Sequence, residues 1–289
     1  MATIGFIGLG VMGEPMARNL TRAGAHAVSV FDLEPAPVDR LVGDGATAAS
    51  DVTDLAAGAD QVHLSLPGGE QLQGVLEQLL GGPVDLAGKL IVDHTTAPVA
   101  LTRQMGERCR AAGAEYCDAP VARTRQAAID GTLAIMVGGS QAAFERLAPT
   151  LAPVATDVTH CGEIGAGQVT KLLNNMVLFQ NVRAIAEAHA IATGLDLELD
   201  LGTVFDVIAG ASGGSFALRN HGMKAILPDT YPDNAFSTLY ALKDLSYALE
   251  LAEQVGVEAV GAETVGRLME AAAEAGFADE YFPVMRRLL

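Results

Sequence analysis

The chain has 289 residues and a formal net charge of −17 at pH 7; half of its residues are hydrophobic and 18% are charged. This composition excludes a disordered chain and leaves room for two domains, while the negative charge argues against nucleic acid and anionic membranes as partners. No apolar run approaches the ~20 residues of a membrane helix, no signal-peptide pattern is evident, and the three cysteines lack metal-ligand spacing. We therefore expect a cytoplasmic protein with reduced thiols and no metal site.

The first half of the chain alternates short apolar runs with stretches of helix length. Apolar runs at 4–8 and 28–31 flank a segment with helical spacing. Strands separated by helix-length segments predict a doubly wound parallel sheet with helices on both faces. The further predicted strands are 61–66, 90–93, 115–118, 133–137 and 157–160.

The pattern changes near Gly162, after which strand signals are sparse. Residues 165–194 predict one long helix, and further helices are centred near 204–208, 243–252 and 262–273. We predict a dinucleotide-binding Rossmann domain over 1–162, joined by the long interdomain helix to an all-α domain over 163–289. The second domain is expected to serve substrate binding and oligomerisation, and its long apolar helices favour a homodimer or homotetramer.

A glycine-rich segment follows the first strand and opens the first helix. It fits G-x-G-x-x-G, in which the first glycine permits a tight turn and the second lets a pyrophosphate approach the backbone. The third glycine permits close packing of helix and strand, and the helix N-terminus offers N–H donors to phosphate. The predicted cofactor loop consists of Gly8, Leu9, Gly10, Val11, Met12 and Gly13.

Asp32 ends the second strand, about 20 residues after the glycines, where a carboxylate binds the ribose hydroxyls of a dinucleotide. It would repel a 2′-phosphate, and no arginine follows it immediately, so NAD is favoured over NADP. The alternative is a tight turn with a solvated aspartate. Leu66 and Pro67 follow another strand and predict either a loop over the adenosine side of the cofactor or a plain surface turn.

Several motifs in a fixed order extend this pattern through nearly the whole chain. This set resembles the β-hydroxyacid dehydrogenases, the group that contains 3-hydroxyisobutyrate dehydrogenase and tartronate semialdehyde reductase. The resemblance implies an NAD-dependent oxidoreductase acting on CH–OH groups of a small anionic substrate. The motifs are FIGLGVMGEPM at 6–16, DHTT at 93–96, DAPV at 118–121, GTL at 131–133, GAG at 165–167, KLLNN at 171–175 and KDL at 243–245.

The resemblance assigns the chemistry to two residues on the long helix. Lys171 is implied as the general acid and base, and Asn175 as the residue that orients it. They are four residues apart and therefore share a helix face. Thr96 is implied near the nicotinamide ring, although it also suits a helix N-cap, and Lys243 is implied to close over the cofactor. The alternative for Lys171 is a solvated surface lysine.

One segment departs from the family pattern. Most members follow Asp-x-Pro-Val with Ser-Gly-Gly, whereas this chain has Ala-Arg-Thr. The Pro-Val-x-Arg-Thr pattern resembles the 3-sulfolactaldehyde reductase branch, in which the arginine holds a sulfonate. It implies that Arg123 and Thr124 bind the substrate anion, with Asn174 as a helper. The alternative is that Arg123 pairs with Asp118 or Asp130 and only shapes the loop.

The leading hypothesis is the reversible NADH-dependent reduction of 3-sulfolactaldehyde to 2,3-dihydroxypropane-1-sulfonate. A second hypothesis is a carboxylate semialdehyde reductase, equivalent to a 3-hydroxyisobutyrate or 4-hydroxybutyrate dehydrogenase. A third is a non-catalytic dinucleotide-binding sensor. Retention of Lys171 together with Asn175, Thr96 and Lys243 disfavours the sensor, because a sensor needs no proton donor.

Overall fold

The structure, a computed structural model, describes residues 2–232 and 235–289. These form two compact units, one ending at Lys171 and the other beginning at Leu172. The first unit is α/β and the second is helical, which confirms the predicted fold class. The division lies beyond the predicted boundary at 162 because the first turn of the long helix is hydrogen-bonded to the first unit.

The strands of the first unit form a single sheet. They are β1 (Thr3–Ile7), β2 (Ala27–Phe31), β3 (Thr47–Ala48), β4 (Gln61–Leu64), β5 (Leu90–Asp93), β6 (Glu115–Asp118), β7 (Val121–Ala122), β8 (Leu133–Gly138) and β9 (Ala155–Gly162). Their spatial order is β3-β2-β1-β4-β5-β6-β8-β7, and β9 pairs with β8.

One edge of the sheet departs from the predicted parallel arrangement. The pairs among β1 to β6 are parallel, but β8 runs antiparallel to β6 and β7, and β9 then runs parallel to β8. A parallel neighbour needs a crossover that returns the chain to the far end of the sheet. Between β6 and β8 lie β7, which itself pairs with β8, and a helix of only five residues, so the chain turns back instead.

Helices cover both faces of this sheet, as predicted. The two sides of each strand serve different cores: on β1, Phe6 belongs to one apolar core and Ile7 to the other. Met16 packs in the first core and Leu72 in the second. The helices are α1 (Gly13–Ala23), α2 (Pro35–Gly43), α3 (Val52–Gly58), α4 (Gly69–Gly81), α5 (Val99–Ala111), α6 (Arg125–Ile129) and α7 (Gln141–Leu151).

The second unit is built from helices around a core that contains Phe179, Leu245, Met269 and Phe282. The long helix α8 (Ala166–Gly194) begins within the first unit. In the parts of the chain that are described, no helix is long and apolar enough to cross a membrane. The other segments are α9 (Leu201–Gly210), a π-helical segment Leu218–Ile226, α10 (Thr238–Gln254), α11 (Val260–Ala272), a π-helical turn Ala273–Phe277 and a 3₁₀ segment Phe282–Leu288.

Candidate active site

The glycine loop joins β1 to α1, and a different feature of the surroundings explains the glycine at each of its three positions. Gly8 has a φ of 91°, and a Cβ there would lie 2.3 Å from the carbonyl oxygen of Ser65. Gly13 starts α1, and a Cβ there would lie 2.0 Å from the carbonyl oxygen of Gly8. A Cβ on Gly10 would meet nothing within 4 Å, so its backbone borders open space. The loop therefore fits a pyrophosphate at a helix N-terminus.

Asp32 lies directly after β2 and is tied to this loop. Its carboxylate accepts hydrogen bonds from the backbone N–H groups of Leu9, at 2.5 Å, and Glu34, at 2.8 Å. One bond to each oxygen leaves lone pairs for the hydroxyl donors of a ribose. The Leu9 side chain is buried in the core, whereas Val11 is exposed, so Leu9 offers the loop its backbone only.

The loops after β4 and β5 are joined to each other. The N–H of Leu66 donates to Thr95 Oγ1 at 3.1 Å, while the neighbouring Pro67 is exposed. Thr96 is half-buried, and the N-cap of α5 is Pro98 with no side-chain cap. Thr96 thus lies two residues before the cap position of α5, in the loop that follows β5.

Gln168, which the sequence motifs did not single out, holds the backbone on both sides of Thr96. Its Oε1 accepts the N–H of Ala97 at 3.2 Å, and its Nε2 donates to the carbonyl oxygen of Thr95 at 2.5 Å. Gln168 is fully buried and lies one turn before Lys171 on α8. The one available sequence signal was its spacing of three from that lysine, which places both near one helix face.

Two buried carboxyl groups end the adjacent strands β5 and β6. Asp118 accepts the N–H groups of Gly165, at 2.7 Å, and Gln168, at 2.8 Å, and so caps the start of α8. Asp93 accepts the N–H of Thr95 at 2.9 Å and the hydroxyl of Tyr116 at 2.8 Å. Burial raises the pKa of both groups, that of Asp93 to about 7.

Asn175 and Lys243 both contact the carboxylate of Asp244 in the second unit. The buried Asn175 donates through Nδ2 to Asp244 Oδ2 at 2.7 Å, and Lys243 Nζ lies 3.0 Å from Asp244 Oδ1. Asn174 Nδ2 donates to Asn175 Oδ1 at 3.1 Å. Lys243 also lies between two aromatic rings, 5.3 Å from the centroid of Tyr240 and 5.4 Å from that of Tyr247. Asp244 therefore orients the Asn175 amide, a role that its position in the KDL motif did not reveal.

Arg123 forms an ion pair with a residue that the sequence did not suggest. Its guanidinium donates to the carboxylate of Asp157 on β9, and to Thr156 Oγ1 at 2.8 Å, rather than to Asp118 or Asp130. Both charged side chains remain accessible, with 36% of Arg123 and 57% of Asp157 exposed. Arg123 has a φ of 85°, and Thr124 Oγ1 accepts the N–H of Ala127 as the N-cap of α6.

A pair of buried histidines lies in the middle of the sheet. His94 Nδ1 donates to the carbonyl oxygen of Ala119 at 2.8 Å, and His94 Nε2 lies 3.0 Å from His63 Nδ1. The other ring nitrogen of His63 lies 3.2 Å from the carboxamide of Gln61. Burial lowers the pKa of both imidazoles, that of His94 to about 4, so both are neutral at pH 7. Among the described residues, no cluster of three or more His, Cys, Asp or Glu side chains is arranged to hold a metal ion.

Two family models together match almost the whole chain. The NAD binding domain of 6-phosphogluconate dehydrogenase matches residues 3–162, and the NAD-binding domain of NADP-dependent 3-hydroxyisobutyrate dehydrogenase matches residues 165–289. The chain belongs to the β-hydroxyacid dehydrogenase family. It is an NAD-dependent oxidoreductase that acts on CH–OH groups, and the predicted family and cofactor are both confirmed.

Similar proteins cover most or all of the chain. It is 36% identical to 2-(hydroxymethyl)glutarate dehydrogenase of Eubacterium barkeri, over 88% of this chain and 83% of that one. It is 33% identical to NAD-dependent L-serine dehydrogenase of Pseudomonas aeruginosa, over 100% of this chain and 98% of that one. The structure of Mycobacterium tuberculosis 3-hydroxyisobutyrate dehydrogenase with L-serine superposes with a TM-score of 0.89 at 32% identity, covering 100% of this chain and 99% of that one.

Proposed function

We propose that this dehydrogenase interconverts a short anionic aldehyde and its alcohol, with Lys171 exchanging the proton. The observation that carries the proposal is the attachment of the Lys171 helix to the Thr95–Ala97 backbone through Gln168. Bound NAD(H) supplies or accepts the hydride. In the reductive direction the Lys171 ammonium donates a proton to the aldehyde oxygen as negative charge develops there, and in the oxidative direction its amine accepts the alcohol proton.

The proposed roles of the remaining residues follow from their contacts. Asn175 lies one helical turn from Lys171 and presents a carboxamide that Asp244 holds in one orientation. Asp32 binds the ribose hydroxyls and the glycine loop binds the pyrophosphate. Lys243 serves as a cofactor contact whose charge is balanced by Asp244.

We propose 3-sulfolactaldehyde as the substrate. Arg123 and Thr124 replace the small Ser-Gly-Gly loop of most family members, and a guanidinium offers a fork of donors to an oxyanion. Arg123 already binds the carboxylate of Asp157. Exposed ion pairs contribute only about 0–1 kcal/mol, so a substrate sulfonate can take the place of Asp157 at little cost.

A second candidate substrate is a carboxylate semialdehyde, with 3-hydroxyisobutyrate or 4-hydroxybutyrate as the alcohol. The names of the relatives favour it, since 2-(hydroxymethyl)glutarate and 3-hydroxyisobutyrate are both hydroxy acids. A guanidinium binds a carboxylate as readily as a sulfonate.

The test is NADH oxidation with 3-sulfolactaldehyde, succinic semialdehyde and methylmalonate semialdehyde. Arg123→Gly suits this test because glycine accepts the positive φ of that position without strain. We expect the wild type to prefer the sulfonate and Arg123→Gly to lose roughly 10–100-fold in kcat/KM for it. The exposed neighbour Arg125→Gly serves as the control and should retain turnover.

If the wild type prefers a carboxylate semialdehyde, the sulfolactaldehyde proposal is wrong and the carboxylate semialdehyde becomes the proposed substrate. Full sulfonate turnover by Arg123→Gly would remove Arg123 from the anion site.

We also propose that the enzyme is a homo-oligomer assembled through its second unit. Large apolar side chains are exposed on its helices, among them Val177 and Ile191 on α8 and Val207 on α9. Light scattering of the wild type and of Ile191→Arg/Val207→Arg would show a dimer or tetramer reduced to a smaller species. A monomeric wild type would contradict this proposal.

A further inference from the structure

The carboxamide of Gln168 is hydrogen-bonded to the backbone of the loop that follows β5. It bonds to the carbonyl oxygen of Thr95 on one side of Thr96 and to the N–H of Ala97 on the other. A primary amide carries both a donor and an acceptor and so satisfies both backbone groups at once. Thr95, Ala97 and Gln168 are all buried, so the two backbone groups depend on the side chain of Gln168 rather than on solvent for their hydrogen bonds.

The backbone of Gln168 is fixed as firmly as its side chain. Its N–H donates to Asp118 Oδ2 at 2.8 Å, while Asp118 Oδ1 accepts the N–H of Gly165. Thr95 is also held at its hydroxyl, which accepts the N–H of Leu66. A continuous set of hydrogen bonds therefore joins the loops after β4, β5 and β6 to the first turn of α8.

We propose that Gln168 is a positioning residue that sets Thr96 relative to Lys171. The inference rests on the proposed function, in which Lys171 exchanges the proton. Gln168 lies three residues before Lys171 on α8, and its side-chain amide is hydrogen-bonded to the backbone on both sides of Thr96. Displacement of one of these groups by about 1 Å is enough to lower the rate of a reaction roughly 100-fold.

Two substitutions separate this role from simple packing. Gln168→Met keeps the side-chain volume but offers neither a strong donor nor a strong acceptor to the loop. Gln168→Glu keeps the shape and one acceptor, but its ionised carboxylate places an oxygen against the carbonyl oxygen of Thr95. When protonated, the same carboxyl group donates to that carbonyl and restores both contacts. Thr170→Val is the matched control, because Thr170 is exposed on the same turn and its hydroxyl donates only within α8, to Ala166.

The first measurement is the pH profile of kcat for each variant divided by that of the wild type. We expect Gln168→Met to be depressed roughly 10–100-fold at every pH. The ratio for Gln168→Glu should rise about tenfold between about pH 8 and about pH 6, since burial raises the pKa of a carboxyl group and favours its protonated form. Thr170→Val should stay close to wild type throughout.

The second measurement needs no cofactor and no substrate. Hydrogen–deuterium exchange of peptides that cover residues 95–99 reports the protection of the Ala97 N–H in the free protein. We expect faster exchange there than in wild type at the same pH in Gln168→Met. In Gln168→Glu we expect it at high pH only, where repulsion between the ionised carboxylate and the carbonyl oxygen of Thr95 displaces the side chain from the loop. Thr170→Val should leave this segment unchanged. If Gln168→Met fails to fold, the isosteric Gln168→Glu carries the test at low and high pH.

A flat activity ratio for Gln168→Glu, or wild-type kcat in Gln168→Met, would overturn the positioning role. Lys171→Ala in the same assay separates the two claims. If Lys171→Ala is active, the proposed function fails; if Lys171→Ala is inactive while the Gln168 variants behave as wild type, only the present inference fails.

Discussion

At the scale of single residues, several hydrogen bonds and ion pairs of the candidate site hold the side chains of other candidate residues in a fixed orientation. Asp244 accepts a hydrogen bond from the Asn175 amide on Oδ2 and forms an ion pair with Lys243 through Oδ1. The carboxylate is buried, so each partner depends on it for its direction and Lys243 depends on it for charge balance. Removing the charge while keeping the shape tests that dependence.

We predict that Asp244→Asn lowers kcat about tenfold and lowers the melting temperature. An amide cannot balance the charge of Lys243, and a neutral amide oxygen accepts a weaker hydrogen bond than a carboxylate oxygen, so the Asn175 amide is held less firmly. Steady-state kinetics and thermal unfolding provide the measurements. Glu250→Gln, at an exposed position on the same helix, is the control; equal losses in both variants would refute the specific role of Asp244.

The sequence motifs named candidate site residues, but they did not predict the contacts that hold those residues in place. The glycine loop and Asp32 were predictable because each follows a strand at a fixed spacing. Gln168 was not, because its role depends on which backbone groups of a distant loop lack partners. The ion pair of Arg123 with Asp157 was missed for a similar reason. The two residues are brought together by the pairing of β9 with β8, which the sequence pattern does not reveal.

At the scale of elements, the start of α8 determines where both Gln168 and Lys171 lie. Asp118 accepts two N–H groups there and places negative charge at the positive end of the helix. We predict that Asp118→Asn destabilises the protein by about 1–2 kcal/mol, because asparagine supplies one acceptor where two are used. Urea unfolding measures the loss, and Glu163→Gln, an exposed site just before α8, should show none. An unchanged midpoint in Asp118→Asn would contradict the capping role.

Sequence patterns predicted the strands longer than three residues but not the short ones or their direction. Apolar runs located β1, β2, β4, β5, β6, β8 and β9, whereas β3 and β7 have two residues each and no periodicity to detect. The reversal at β8 was missed because strand direction depends on the connection, and helix α6 is too short to be evident as a helical pattern. The long helix was predicted within a residue of its bounds.

At the scale of the whole molecule, the buried histidine pair links the fold to pH. His94 has a folded-state pKa of about 4, below its ordinary value of 6.5, so the unfolded chain binds the proton more readily. The stability that neutral His94 contributes is complete above pH 6.5 and is lost as the pH falls toward 4. Asp93, with its pKa raised to about 7, changes stability in the opposite sense over that range, so the two must be measured apart.

We predict that the difference in unfolding free energy between wild type and His94→Asn shrinks by about 2–3 kcal/mol between about pH 7 and about pH 4.5. Only the wild type carries His94, and the titrations of groups that do not contact His94 cancel in the difference. His63, which lies 3.0 Å from His94, is removed from the comparison by measuring the same pair of proteins in a His63→Asn background. Urea unfolding at a series of pH values provides the data. A difference that stays constant with pH would mean that His94 does not titrate on unfolding.

The central claim is that Lys171 exchanges the proton in an NAD-dependent reduction, and one comparison tests it most directly. NADH oxidation by wild type and Lys171→Ala is measured with saturating aldehyde, while NADH fluorescence reports binding of the cofactor. We predict a fall in kcat of roughly 10²–10⁴-fold with NADH binding retained. A Lys171→Ala enzyme whose kcat stays within a few-fold of wild type would contradict the claim.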